Sequence, residues 1–146
     1  MKTENSAGAI IFYIDKKNNE PKFLLLKYTN YWGFVKGLIE KNEKVEETIV
    51  REAKEEANLN DLRFLPEFKF EQNWFYKLNN ELIKKSAVFL LAEVSEEDSK
   101  KAKISFEHEE LRWLDFNEAM SLMKIKNNKE MLEKAYKFIK ENKQKL

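Results

Sequence analysis

Between Gly37 and Leu59 the chain reads GLIEKNEKVEETIVREAKEEANL. Its chemistry centres on Glu52, Glu55 and Glu56. On a helix these three carboxylates fall within an arc of about 100°. Carboxylates so close repel one another, which costs stability unless something positive sits among them. Arg51 is adjacent and can reach Glu47 and Glu55 four residues away on either side. One guanidinium cannot neutralise the whole cluster, whereas a divalent cation can. Oxygen ligands without His or Cys suit Mg²⁺, Mn²⁺ or Ca²⁺. A solvated charged face is the competing reading, and it is the default in a chain that is 36% charged. Two features outweigh it. Glu56 borders the apolar stripe and so belongs at the edge of the core. The helix is also entered through a loop bounded by Gly33 and Gly37, whose backbone can approach a ligand closely.

The elements that must position these residues follow from hydropathy. Val45, Ile49, Ala53 and Ala57 recur every four residues, so Glu46 to Ala57 is read as a helix. Asn58 is its expected stop, because Asn tolerates the left-handed conformation. Ala7 to Ile14 and Lys22 to Tyr28 read as two strands joined by the polar turn Asp15 to Pro21, a hairpin. Tyr31 to Gly37 is short and aromatic. Leu62 to Tyr76 reads as a strand, and Leu82 to Val94 as the longest apolar strand, expected to be central. Ser95 to Lys103 reads as a charged loop and Leu111 to Leu114 as a short strand. Asp115 with Glu118 has the capping-box spacing for a helix through Met123. A last helix from about Asn128 carries Met131, Leu132, Ala135, Phe138 and Ile139. The class expected is a mixed α/β layered fold.

Composition narrows the possibilities. The chain has 146 residues, which suits a single domain over 1–146. It has no cysteine, so disulfides, zinc–thiolate sites and cysteine nucleophiles are excluded. A single histidine excludes a two-histidine metal site. The 27 basic and 26 acidic residues leave a net charge of +1, which gives no global field for nucleic acid. No apolar run approaches the roughly 18–20 residues that span a bilayer. The N-terminus reads as a strand and not as a signal peptide, so a cytoplasmic protein is expected.

The segment resembles the motif of the Nudix hydrolase family. Gly37 is followed by five residues and Glu43, then by seven residues and Arg51-Glu52-Ala53-Lys54-Glu55-Glu56-Ala57-Asn58-Leu59. Every charged position of the family motif is matched at its spacing. Ala53 is small for its apolar slot, and Asn58 replaces a glycine. SAGAIIFY, KFLLLKY, WGFVKG, SAVFLLAEV and FEHEELRWLDFNEA extend the resemblance to the asymmetric diadenosine tetraphosphate hydrolase branch. That branch usually carries Pro where Val35 stands and often His where Leu38 stands. By that resemblance, loss of the imidazole would remove one phosphate contact.

The resemblance implies the Nudix fold, a mixed β-sheet sandwiched between helices. It implies hydrolysis of a nucleotide phosphoanhydride, most directly diadenosine tetraphosphate to AMP and ATP. Mg²⁺, with Mn²⁺ as a substitute, would be held by Glu52, Glu55, Glu56 and the Gly37 carbonyl. Arg51 would orient the glutamates and Glu43 would support the loop. The base is Glu52 or Glu107, and Glu107 could equally be a further metal ligand. His108 is given no role. Lys36 and Lys85 are the candidate phosphate cations. Tyr76 is the candidate stacking surface for a nucleobase, with Trp32 and Phe75 behind it. Alternation along the strand is expected to bury about half of Trp74, Phe75 and Tyr76.

The expected partner is a small dinucleoside polyphosphate or nucleotide, with no membrane, no strong nucleic-acid signal and a monomeric chain. One alternative is a nucleoside triphosphate or RNA 5′-end pyrophosphohydrolase of the same family. Another is a non-catalytic nucleotide-sensing module, which predicts a damaged glutamate motif; here all three carboxylates are present.

Overall fold

A strand sends successive side chains to opposite faces, so one that is apolar at every position must be covered on both. Ala7 to Phe12 is such a run, and all six residues are buried. The computed structural model describes residues 1–105 and 108–142. There β1 (Lys2–Asp15) lies inside a seven-stranded sheet with β2 (Glu20–Lys27), β3 (Trp32–Gly33), β4 (Val35–Leu38), β5 (Arg63–Leu78), β6 (Glu81–Glu93) and β7 (Glu110–Leu114). The main order is β3-β2-β1-β6-β5, with β4 paired to β1 and β7 to β2. β1 and β6 run parallel while the other pairs are antiparallel, so the sheet is mixed.

Helices cover both faces. Ala7, Ala9 and Ile11 pack with Ile49, Ala53 and Ala57 of α1 (Val45–Ala57). Ile10 and Phe12 point the other way. They pack with Ala119 and Met123, at and just beyond α3 (Phe116–Leu122), and with Met131, Leu132, Ala135 and Ile139 of α4 (Lys126–Glu141). The expected mixed sheet between helices is therefore the one found. Among the described residues no helix is long and apolar enough to cross a membrane.

Each difference from expectation has a structural cause. β1 begins at Lys2, because its polar start pairs in parallel with β6 from Lys2↔Ile83 onward. Ser95 to Lys103 is more than a loop: Ser95 caps a one-turn helix α2 (Glu96–Ser99), accepting from the Asp98 amide at 3.0 Å. The β5–β6 hairpin reaches past both helix layers. Trp74 and Phe75 both stay exposed, Phe75 at 56%, where alternation was expected to bury about half of Trp74, Phe75 and Tyr76. The Asp115–Glu118 capping box forms as the spacing predicts.

Ile49 is wholly buried against the sheet, and α1 has few other large anchors. Truncating Ile49→Ala should cost about 2–5 kcal/mol, the range for removing a buried aliphatic side chain. Urea denaturation against the parent chain reads it.

Candidate functional site

The segment from Leu38 to Lys44 is folded around one cation. Arg51 Nε donates to Glu43 Oε2 at 2.7 Å and Nη2 donates to Glu43 Oε1 at 3.0 Å, a two-pronged pair. The same Nη2 donates to the Leu38 carbonyl at 3.0 Å, and Nη1 to Glu52 Oε1 at 2.6 Å. Glu40 and Glu55 lie 3.1 and 3.5 Å from the guanidinium. Glu43 also accepts from Thr48 Oγ1 and from the Glu40 amide. Hydrogen bonds from Arg51, then from the Glu40 backbone, hold the Glu43 carboxyl down to about 2. Those same bonds to Glu43 hold the Arg51 guanidinium even more firmly protonated than usual. Arg51 does not pair with Glu47 as the i−4 spacing allowed. Glu47 turns back instead and accepts from the Lys44 amide at 2.8 Å, closing the helix entrance.

The three glutamates have three different environments. Glu52 lies against Gly37, where a Cβ would fall on the Glu52 carboxyl, so only glycine leaves it room. Glu55 is 60% exposed in its side chain and turns toward Arg51. Glu56 is 4% exposed and accepts from the Lys36 amide at 3.3 Å. Among the described residues no three acidic or imidazole groups already converge as a cation cage. The donor set still fits a hard divalent ion: three carboxylates on consecutive turns of one helix, a strand backbone held close by Gly37, and oxygen as the only ligand type.

Backbone bonds bring a further group to Glu56. The end of α1 is closed by Asn58 at φ 55°, the left-handed stop the sequence predicts. The following chain is then tied down, with the Lys103 amide donating to Ala57 O and the Ser105 amide to Glu56 O. His108 is thereby delivered to Glu56, its Nε2 3.4 Å from Glu56 Oε2 and its residue 8% exposed. The imidazole stands edge-on to Tyr28, with ring centres 4.6 Å apart. Tyr28 donates to Phe34 O at 2.6 Å and stacks on Tyr31 at 4.8 Å. Burial first, then the Glu56 charge, drives the Tyr28 phenol far above its usual range, so it stays a donor. The Lys36 ammonium lies over both tyrosine rings at 5.7 and 5.6 Å. Sequence reasoning missed Tyr28, Tyr31 and His108. Two strand-end tyrosines look like core, and the only visible signal for His108 was its place in the acidic FEHEEL segment.

The remaining candidates lie on the hairpin. Tyr76 donates to Glu4 Oε1 at 2.6 Å, and that bond raises its phenol above the ordinary value. Lys85 lies with its ammonium 5.4 Å from the Tyr76 ring centre. Lys36 pairs with Gly8 and Lys85 with Glu4, so both leave the sheet from the face of Phe89, opposite Gly37. Trp32 requires a correction. It is 8% exposed within the core, and the Arg112 guanidinium lies 5.1 Å from its ring, so it packs and offers no open stacking face. Val35 pairs with Ala9 in the sheet, and Leu38 is exposed while its carbonyl serves Arg51. Glu107 lies outside the described residues.

The Glu43 shift has a pH signature. Its folded carboxyl titrates near 2 against an ordinary 4.5. The stability it supplies is complete above about pH 4.5 and is lost as pH falls toward 2. Urea midpoints measured at pH 7, 4 and 2.5 should show Glu43→Gln less stable than the parent at pH 7, with the gap closing by pH 2.5.

This arrangement has counterparts. Residues 4–135 match the family model described as NUDIX domain. A relative from Sus scrofa, the asymmetrical bis(5′-nucleosyl)-tetraphosphatase, is 32% identical over 92% of this chain and 94% of its own length. The protein of that description from Mus musculus is 30% identical over the same shares. A Caenorhabditis elegans Ap4A hydrolase binary complex superposes with a TM-score of 0.78 at 24% identity, over 94% of this chain and 98% of that one, which shows a shared fold. With the glutamate segment placed on α1 beneath the glycine of β4, and nearly the whole chain matched, this protein belongs to the Nudix hydrolase family.

Proposed function

We propose that the chain hydrolyses dinucleoside polyphosphates, cutting diadenosine tetraphosphate to AMP and ATP with the help of a divalent metal. The observation that carries this reading is the Arg51 network. It fixes Glu52 against Gly37 and leaves Glu55 and Glu56 on the same helix face. The naming of the relatives from Sus scrofa and Mus musculus supports the choice of substrate.

In the reaction a water oxygen bonds to phosphorus and a bridging P–O bond breaks. The departing phosphate takes the electron pair, and the water proton passes to a base. Glu52 is that base, or Glu107. Glu52, Glu55, Glu56 and the Gly37 carbonyl would hold Mg²⁺, or Mn²⁺ in its place, which when bound would supply charge neutralisation and Lewis acidity. Arg51 acts as a positioning residue. It holds Glu52 in place and keeps the Leu38 end of β4 against the helix. Lys36, its ammonium over the Tyr28 and Tyr31 rings, and Lys85, its ammonium near the Tyr76 ring, supply positive charge to the polyphosphate. Tyr76, steadied by Glu4, offers its ring to a nucleobase.

Incubation with Mg²⁺ and diadenosine tetraphosphate in ¹⁸O-labelled water should give AMP and ATP, with label in one of them. Turnover of nucleoside triphosphates, ADP-ribose or triphosphorylated RNA should be much slower. Glu56→Gln should lower kcat by about 10²–10³-fold, the scale of removing one preorganised electrostatic group, while nucleotide binding persists. An intact dinucleotide beside a cleaved nucleoside triphosphate would replace this substrate assignment with another. Silence across the panel with binding retained would make the chain a sensor.

A further inference from the structure

The chain's single histidine is used by none of the chemistry above, yet it is buried beside a proposed metal ligand. We propose that His108 is a positioning residue that clamps Glu56 in the orientation needed to hold a divalent cation. The inference rests on the metal-binding reading of Glu56.

The terminal torsion of a glutamate is broad and roughly two-fold, so an unheld carboxylate swings. Glu56 is held at both ends. Its Oε1 accepts from the Lys36 amide on β4 at 3.3 Å, and its Oε2 faces His108 Nε2 at 3.4 Å. Each carboxylate oxygen carries two lone pairs, so this grip leaves acceptor capacity for a cation. The grip is itself rigid. The Lys36 amide belongs to a strand paired with β1. The His108 side is fixed by the Ser105 amide on Glu56 O, the His108 amide on Ser105 O, and the imidazole edge against Tyr28. Tyr28 cannot drift, because its hydroxyl is bonded to Phe34 O and its ring is stacked on Tyr31. The loop before β7 thus braces the last turn of α1 through one imidazole. Partners that orient a ligand typically change metal affinity 10–100-fold when removed. No charge on His108 is required, only an N–H on Nε2 facing Glu56 Oε2.

The test is Mn²⁺ binding without nucleotide, followed by electron paramagnetic resonance of the free ion and by calorimetry. The parent should bind. His108→Ala should bind about tenfold more weakly or worse. His108→Gln, which keeps a polar group of similar reach, should recover most of the affinity. Thermal melts without metal identify any variant that has failed to fold. In turnover assays the His108→Ala defect should shrink as Mg²⁺ is raised, because occupancy is what has been lost. Parent-like Mn²⁺ affinity in a folded His108→Ala chain would overturn the clamp and leave the metal reading standing. A His108→Gln chain no better than His108→Ala would also overturn it. A parent chain that binds no Mn²⁺ would overturn both together.

Discussion

The arrangement depends on a single buried-edge cation. Acidic side chains crowd the face of α1 and the loop that leads into it, and without a counter-charge they would push apart. Arg51 answers Glu43, Glu52, Glu40 and Glu55 and bonds the Leu38 carbonyl besides. Its planar fork matters, because an ammonium could not grip Glu43 with two parallel bonds and still reach Glu52. One residue therefore shapes the loop, seats β4 on the helix and aims Glu52 at Gly37.

That constraint is useful only because the sheet beneath is rigid. β1 is apolar on both faces from Ala7 to Phe12 and is flanked by β6, β2 and β4, so Lys36 and Gly37 of β4 are paired directly onto a buried stretch of strand. α1 is anchored by Ile49, Ala53 and Ala57, and small alanines let its axis approach the sheet closely. Ala53, small for the family's apolar slot, fits this packing. The hairpin side is a different environment. The β5–β6 hairpin runs past the helices, so Trp74, Phe75 and Tyr76 remain accessible where core packing would have covered them.

The sequence and the structure agree where the cause is local. The four-residue stripe placed α1, Asn58 stopped it, and Asp115 with Glu118 opened α3. They part where the cause is distant. Arg51 reaches Glu43 across eight residues because the loop turns back, which helical spacing cannot reveal. Trp32 looked like a stacking surface until Arg112, eighty positions on, proved to cover its ring. His108 was given no role because its delivery to Glu56 depends on the backbone bonds of Lys103 and Ser105 to the end of α1.

The account turns on whether the three glutamates of α1 hold a divalent cation together. A crystal soaked in Mn²⁺ and measured at the manganese absorption edge tests that directly. The expected result is an anomalous peak bounded by Glu52, Glu55 and Glu56 near the Gly37 carbonyl, with Glu55 turned away from Arg51 to meet it. A peak elsewhere, or none with the ion in excess, would contradict it.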